Sequence, residues 1–381
     1  MKQRRIGQQM DKRSMEQQRV VLRASAALRS LFVADALAMP VHWYYNPLDI
    51  QMAFPGGIQK LEAAPSYHPS SIMSLHSTNK GGRGAQECGG SHREIVGEVI
   101  LKGKREFWGH QNQHYHRQMQ AGENTLNAHC ARVVIRSIVA GGGHYYKDRF
   151  LDDYIDFMTS DVPLHPDTYA ESYHRGFFAH LENGRPKDRC AAVTHDTPSI
   201  GGFVTIAPIV IGERLQGTPL LTVQTLCREH LFLTHPDVEL ARLCNAYVEL
   251  LDQLLFRTAK NSVPDLIART AKTCLDLDLT TLTAKARLDR DIVGKRFSIA
   301  CYITESWPSV LYLAYKYHDE LEQALLANAN LGGDNVHRGA VLGTILGLAN
   351  GHTVDRFFNQ LVDRDKISDE IEALIVNNHN G

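Results

Sequence analysis

Apolar residues recur at helical spacing along most of the chain, and strictly alternating stretches are few. Val21, Ala24, Leu28, Leu31 and Phe32 mark one helical face, which starts near Arg19 and stops by Pro40. Asp35 sits on that helix where the pattern wants an apolar residue, and a buried carboxylate needs a partner. Leu126, Cys130, Val133, Val134 and Ile138 mark a second face, opened by Gly122-Glu123-Asn124-Thr125 and ended by Gly141-Gly142-Gly143. Similar patterns cover residues 151–158, 168–182, 220–231, 238–256, 263–274, 299–317, 320–327 and 354–376. Regularity fades between residues 61 and 109. There, His76 to Gly84 reads as a polar, glycine-rich loop, and residues 94–108 suggest a hairpin around Lys102-Gly103-Lys104.

The densest signal lies near the C-terminus. Asn330-Leu331-Gly332-Gly333-Asp334-Asn335-Val336-His337 leads into an apolar helix. Asp334 either caps that helix or shares one point in space with His337, one turn later. Gly339, Gly343 and Gly347 recur every four residues, which gives the helix a smooth face that a second helix can approach closely. Together these patterns predict an all-α fold, a single compact helical bundle over residues 19–377, preceded by a disordered polar tail over 1–18.

Composition narrows the function. With 381 residues and 43% hydrophobic content the chain can bury a sizeable core. Its 41 Lys and Arg balance 42 Asp and Glu, which argues against nucleic acid or a charged membrane as partner. No apolar run is long enough to span a bilayer. The first 18 residues lack the apolar core of a secretory signal. Seven scattered cysteines without a C-x-x-C pair suit a reducing compartment, so a soluble cytoplasmic protein is expected. Nineteen histidines call for a chemical role.

Several segments, taken in order, resemble the ADP-ribosylglycohydrolase family. Ala34-Asp35-Ala36-Leu37-Ala38-Met39-Pro40-Val41-His42 is similar to its Gly-Asp-Ala-Leu-Gly-x-Pro-x-Glu opening. Gly122-Glu123-Asn124-Thr125 resembles its Thr-Asp-Asp-Thr metal motif. Ser199-Ile200-Gly201-Gly202-Phe203 resembles its diphosphate loop, and Thr234-His235-Pro236-Asp237 the start of a later helix. Gly332-Gly333-Asp334-Asn335-Val336-His337 falls on its Gly-Gly-Asp-x-Asp-Thr motif. The resemblance implies an orthogonal helical bundle, a binuclear magnesium site and hydrolysis of an ADP-ribosyl or related ribosyl linkage.

The departures change that expectation. The family's catalytic Glu falls on His42, its adjacent Asp pair on Glu123 and Asn124, and its second C-terminal Asp and Thr on Val336 and His337. The implied metal set is Glu123, Asn124, Thr125, Asp334 and His337, with His42 as base or additional ligand and Glu123 as a further catalytic group. The implied substrate contacts are Asp35, Ser199, Gly201, Gly202, His195, Gly332 and Gly333. Magnesium prefers oxygen ligands; imidazoles shift preference toward manganese, iron, zinc or nickel. The loss of carboxylates also fits a second reading, an inactive protein that binds an ADP-ribose-type ligand. The other histidines are weaker candidates: His114 and His116 as loop residues near the pocket, His174 and His195-Asp196 for substrate contact, with His195 beside its carboxylate also read as an acid/base group. Residues around Gly81 are expected to cover the ribose.

Overall fold

The structure, a computed structural model, describes residues 2–79 and 93–376, with side chains from residue 15 onward. Among the described residues there are helices, turns and isolated bridges but no strand, so the all-α expectation holds. The loop around Gly81 lies outside the described residues. No helix is long and apolar enough to cross a membrane.

The centre of the molecule is a pair of helices, Lys2–Ala38 and Asn335–Asn350, packed along each other. The four-residue glycine rhythm explains how close they come. A Cβ on Gly343 would lie 2.5 Å from the Ser30 carbonyl oxygen, and one on Gly347 would lie 2.5 Å from that of Ala26. Ala27, Ser30 and Ala34 complete a seam of small residues from the other side. Helices Leu126–Ala140, Val238–Leu255, Ile303–Lys316 and Leu321–Leu331 surround this pair. The expected apolar faces of each are buried.

Several elements differ from the sequence reading. The first helix begins at Lys2, so the segment expected as a disordered tail carries helical backbone; its Lys, Arg, Gln and Met residues are good helix formers. The segment read as 168–182 starts only at Ser172, because the Asp167 carboxylate accepts the Tyr169 N–H and holds the chain in a turn. The stretch 354–376 divides into Asp355–Phe358 and Arg364–Val376. The helix Ile206–Leu215 was not marked because it is apolar on nearly every side and carries no 3.6-residue contrast.

The expected hairpin over 94–108 is absent. Ile95, Val96, Val99, Ile100 and Leu101 are all buried, a clustered rather than alternating pattern. The chain instead curls into short helical turns at Ile95–Val99 and Arg105–Phe107, with Gly97 at φ 101° beneath the Arg105 side chain.

Candidate metal centre and adjoining cavity

Asp334 opens the Asn335–Asn350 helix but its side chain makes no cap. Two glycines allow this. A Cβ on Gly332 would lie 2.2 Å from the Tyr44 carbonyl oxygen, and one on Gly333 would lie 2.1 Å from that of Ile299. Both residues have positive φ. The Gly333 N–H donates to Tyr44 O and the Asp334 N–H to Ile299 O. The backbone is thereby threaded between two segments, and the Asp334 carboxylate turns inward. Buried Arg338 fixes the same loop, donating to the Gly332 carbonyl at 2.8 Å.

Asp334 Oδ1 lies 3.0 Å from His42 Nε2, which donates to it when it carries a proton. His337 Nδ1 lies 2.8 Å from the same oxygen, without the alignment of a hydrogen bond. All three side chains are buried, and one ligand atom from each lies within 4.8 Å of the others. The two imidazoles are held from behind. His42 Nδ1 is 2.7 Å from His116 Nε2, and His116 Nδ1 donates to Asp167 Oδ1 at 2.8 Å. Asp167 Oδ2 in turn accepts the Leu126 N–H at the start of its helix. His337 Nε2 is 3.2 Å from Glu171 Oε1 and also touches the Asn127 amide. A metal-binding imidazole characteristically has its second nitrogen tied to a carboxylate, directly or through a relay.

The electrostatics follow. Burial alone would raise the Asp334 carboxyl, but His337 and His42 against it pull it well below the usual carboxylate range. Burial would lower His337, but Asp334 and Glu171 overcome this and raise it to about 10. His42 is pushed well below the usual imidazole range, first by burial and then by its histidine neighbours, despite the opposing hydrogen bond to Asp334. Asp334 Oδ2 and Glu171 Oε2 are buried carboxylate oxygens without a hydrogen-bond partner. Anionic oxygens in that condition call for a cation within reach, a charge that His337 supplies as imidazolium and that a metal ion would supply on displacing its proton. Two imidazole nitrogens and one carboxylate suit a single borderline transition-metal ion; they do not suit a pair of magnesium ions, which need more oxygen ligands.

The remaining sequence-marked residues divide. Asn124 and Thr125 do not reach the triad. The Asn124 amide donates to Asp35 Oδ1 at 2.8 Å, and Thr125 donates to Asp35 through its N–H at 2.9 Å and its hydroxyl at 2.6 Å. Asp35 is therefore a buried brace between two helices rather than a substrate contact. Glu123 is half-buried, accepts the Gln120 N–H and faces a different surface pocket with His129 and Asp363. Asn124 and Thr125 both turn to Asp35, while the Glu123 carboxylate accepts from Gln120, so the three side chains are engaged away from the triad. Gly332 and Gly333 shape the loop and line no substrate cavity. His42 has no solvent exposure and both its nitrogens are engaged, so it cannot be a base that meets substrate.

His337 and Glu171 form part of the wall of a cavity of about 260 Å³. Trp43, Tyr115, Tyr169 and Tyr173 give it aromatic walls, and Ser199, His195 and Asp196 add polar groups. Gly201 lies behind Ser199; a Cβ there would come within 3.4 Å of His337 Nδ1. Gly202 packs instead against Leu231 and His235, with 2.7 Å to the nearest Leu231 methyl from a notional Cβ. His174 is buried behind this wall, bonded to Tyr154 and Asn127. Glu171, Asn127, Asp167 and Trp43 were missed by the sequence reading. Trp43 follows His42 and Asn127 follows the Gly122-to-Thr125 motif, whereas Glu171 and Asp167 have no local pattern to announce them.

Compared with curated protein sequences, the chain matches none. A solved structure described as an ADP-ribosylglycohydrolase-related protein complex is similar in fold, with a TM-score of 0.58 and 15% identity; the match covers 95% of this chain and 99% of that one. The model of the family described as ADP-ribosylglycohydrolase matches residues 16–378. With a family match over nearly its whole length and the helical fold expected of it, the chain belongs to the ADP-ribosylglycohydrolase family.

Proposed function

We propose that the cavity is the active site of a metal-assisted hydrolase acting on an ADP-ribosyl or related ribosyl linkage, with one divalent transition-metal ion held by His42, Asp334 and His337. The observation that carries the reading is the set of unpartnered carboxylate oxygens of Asp334 and Glu171 beside two braced imidazoles, at the edge of an aromatic cavity. Bound there, such an ion supplies Lewis-acid polarisation of a water or a ribose hydroxyl.

The chain's own residues supply the rest. Glu171, on the cavity wall beside His337, offers an anionic face to the cation-like sugar that develops as a glycosidic bond breaks. Trp43, Tyr115 and Tyr169 offer ring faces for a flat base and exclude water. Ser199 brings the expected diphosphate loop to the cavity wall, with Gly201 behind it close to His337.

The test is elemental analysis of purified protein, with calorimetry of ADP-ribose binding and an assay on N- and O-linked ADP-ribosyl substrates. Expected are one manganese, iron, zinc or nickel ion per chain, and turnover that chelation abolishes. Two magnesium ions per chain would overturn the metal assignment. ADP-ribose binding without turnover, across all metals, would establish the inactive ligand-binding reading in its place.

A further inference from the structure

His195 and Asp196 form a dyad on the cavity wall, in a turn that Asp196 also ties to the start of the Ser172–Glu182 helix. His195 Nε2 lies 2.9 Å from Asp196 Oδ1. Asp196 Oδ2 accepts the Ser172 hydroxyl at 2.8 Å, and the Asp196 N–H donates to Thr194 Oγ1. The Thr194 N–H donates to Thr197 Oγ1 at 2.7 Å, so the turn carrying both residues is closed on itself. Burial would raise the Asp196 carboxyl, yet His195, Ser172 and Arg175 hold it below the usual carboxylate range. As a carboxylate it accepts the Nε2–H of His195 and leaves Nδ1 as the basic nitrogen. That nitrogen is buried, has no hydrogen-bond partner, and belongs to a ring that lines the cavity.

The other histidines and the cysteine of the cavity wall are less suited to moving a proton, and Glu171 is held beside His337 as the anionic face. His337 faces Asp334 and Glu171 with its two nitrogens. His76 Nδ1 is 3.1 Å from the Tyr169 hydroxyl. Burial pushes the Cys301 thiol well up, so it stays protonated. The position where the family carries its catalytic Glu holds His42, which is sealed from the cavity.

We propose that His195 is the proton-transfer residue of this site and Asp196 the positioning residue that fixes its ring. The inference rests on the cavity being a hydrolase active site. The water oxygen bonds to the anomeric carbon as the bond from that carbon to the leaving nitrogen or oxygen breaks, its electron pair departing with the leaving group. The water proton passes to His195 Nδ1, and the imidazolium returns it to the leaving group. Imidazole and carboxylate are then as they began.

The experiment compares the parent protein with His195→Gln and Asp196→Asn, using metal-loaded enzyme and an ADP-ribosylated peptide. His195→Gln is expected to lower kcat by roughly 10²- to 10⁴-fold. Its ADP-ribose affinity by calorimetry, metal content and unfolding midpoint should stay close to the parent's. Asp196→Asn should lower kcat by roughly tenfold or more, because the amide favours the wrong tautomer. Nitrogen-15 NMR of histidine-labelled protein supplies a readout besides activity: an unprotonated Nδ1 on His195 in the parent, moved by ADP-ribose and altered in Asp196→Asn. An active parent with an equally active His195→Gln overturns this assignment alone, as does an Nδ1 resonance that ignores the ligand. A parent that binds ADP-ribose but hydrolyses no ribosyl linkage overturns the hydrolase reading and this one with it.

Discussion

Asp35 and Asp334 are both buried carboxylates on the central helix pair, and both belong to motifs that the sequence points to as functional. Asp35 accepts three hydrogen bonds from Asn124 and Thr125 and needs nothing more. Asp334 has one oxygen shared between two imidazoles and a second with no partner at all. A corner whose polar groups satisfy one another is architecture. A corner that leaves a buried anion unsatisfied is where a ligand belongs. The same residue type at neighbouring helix ends thus does opposite work, and only the partners distinguish the two.

Removing each carboxylate should separate the roles most sharply. Asp35→Ala leaves the Thr125 N–H, the Thr125 hydroxyl and the Asn124 amide without their acceptor. It should cost about 3 kcal/mol of stability by chemical denaturation, with metal affinity unchanged in the folded fraction. Asp334→Ala should show the reverse. Metal affinity, read by calorimetry, should fall by more than roughly 100-fold, since loss of an outer partner alone costs 10- to 100-fold. Equal metal affinity in parent and Asp334→Ala would erase the distinction.

A smaller effect tests the bracing behind the triad. Asp167→Asn weakens the hold on His116 and hence on His42. It should reduce metal affinity by roughly 10- to 100-fold, the range for outer-shell carboxylates. No change would show that His42 is positioned by packing against Trp43 instead. The smallest effect belongs to Glu123. Glu123→Gln should alter stability by less than about 0.5 kcal/mol and leave metal content untouched; lost metal would return this residue to the site.

Much of the architecture was legible because helical periodicity and glycine spacing are local properties. The faces carrying Leu28 and Leu31, or Val133 and Val134, and the Gly339-Gly343-Gly347 seam needed no knowledge of distant partners. The site was legible only in part, for the opposite reason. Asp334 and His337 are one turn apart on one helix, and the sequence brings them together. Glu123 and Asn124 line a surface pocket away from the triad, since membership of a motif before a helix start says nothing about which cavity it meets. Glu171, His116 and Asp167 enter from loops and a separate helix, and no pattern in the chain announces that meeting. His42 reads from the sequence as a base or an additional ligand, and the choice between them turns on its engaged nitrogens, which appear only in three dimensions.

The seam of small residues between the first helix and the Asn335–Asn350 helix has a mechanical consequence for the metal centre. His42 follows the end of one of these helices, and Asp334 and His337 open the other. Their separation is thus a readout of how two rigid rods are registered and how closely they lie, and no flexible joint between them absorbs an error. A methyl group added at Gly343, about two and a half helical turns from Asp334, would wedge the rods apart and detune the triad from a distance. The affinity and selectivity of the centre can therefore be adjusted, by drift or by design, through residues that never touch the ion.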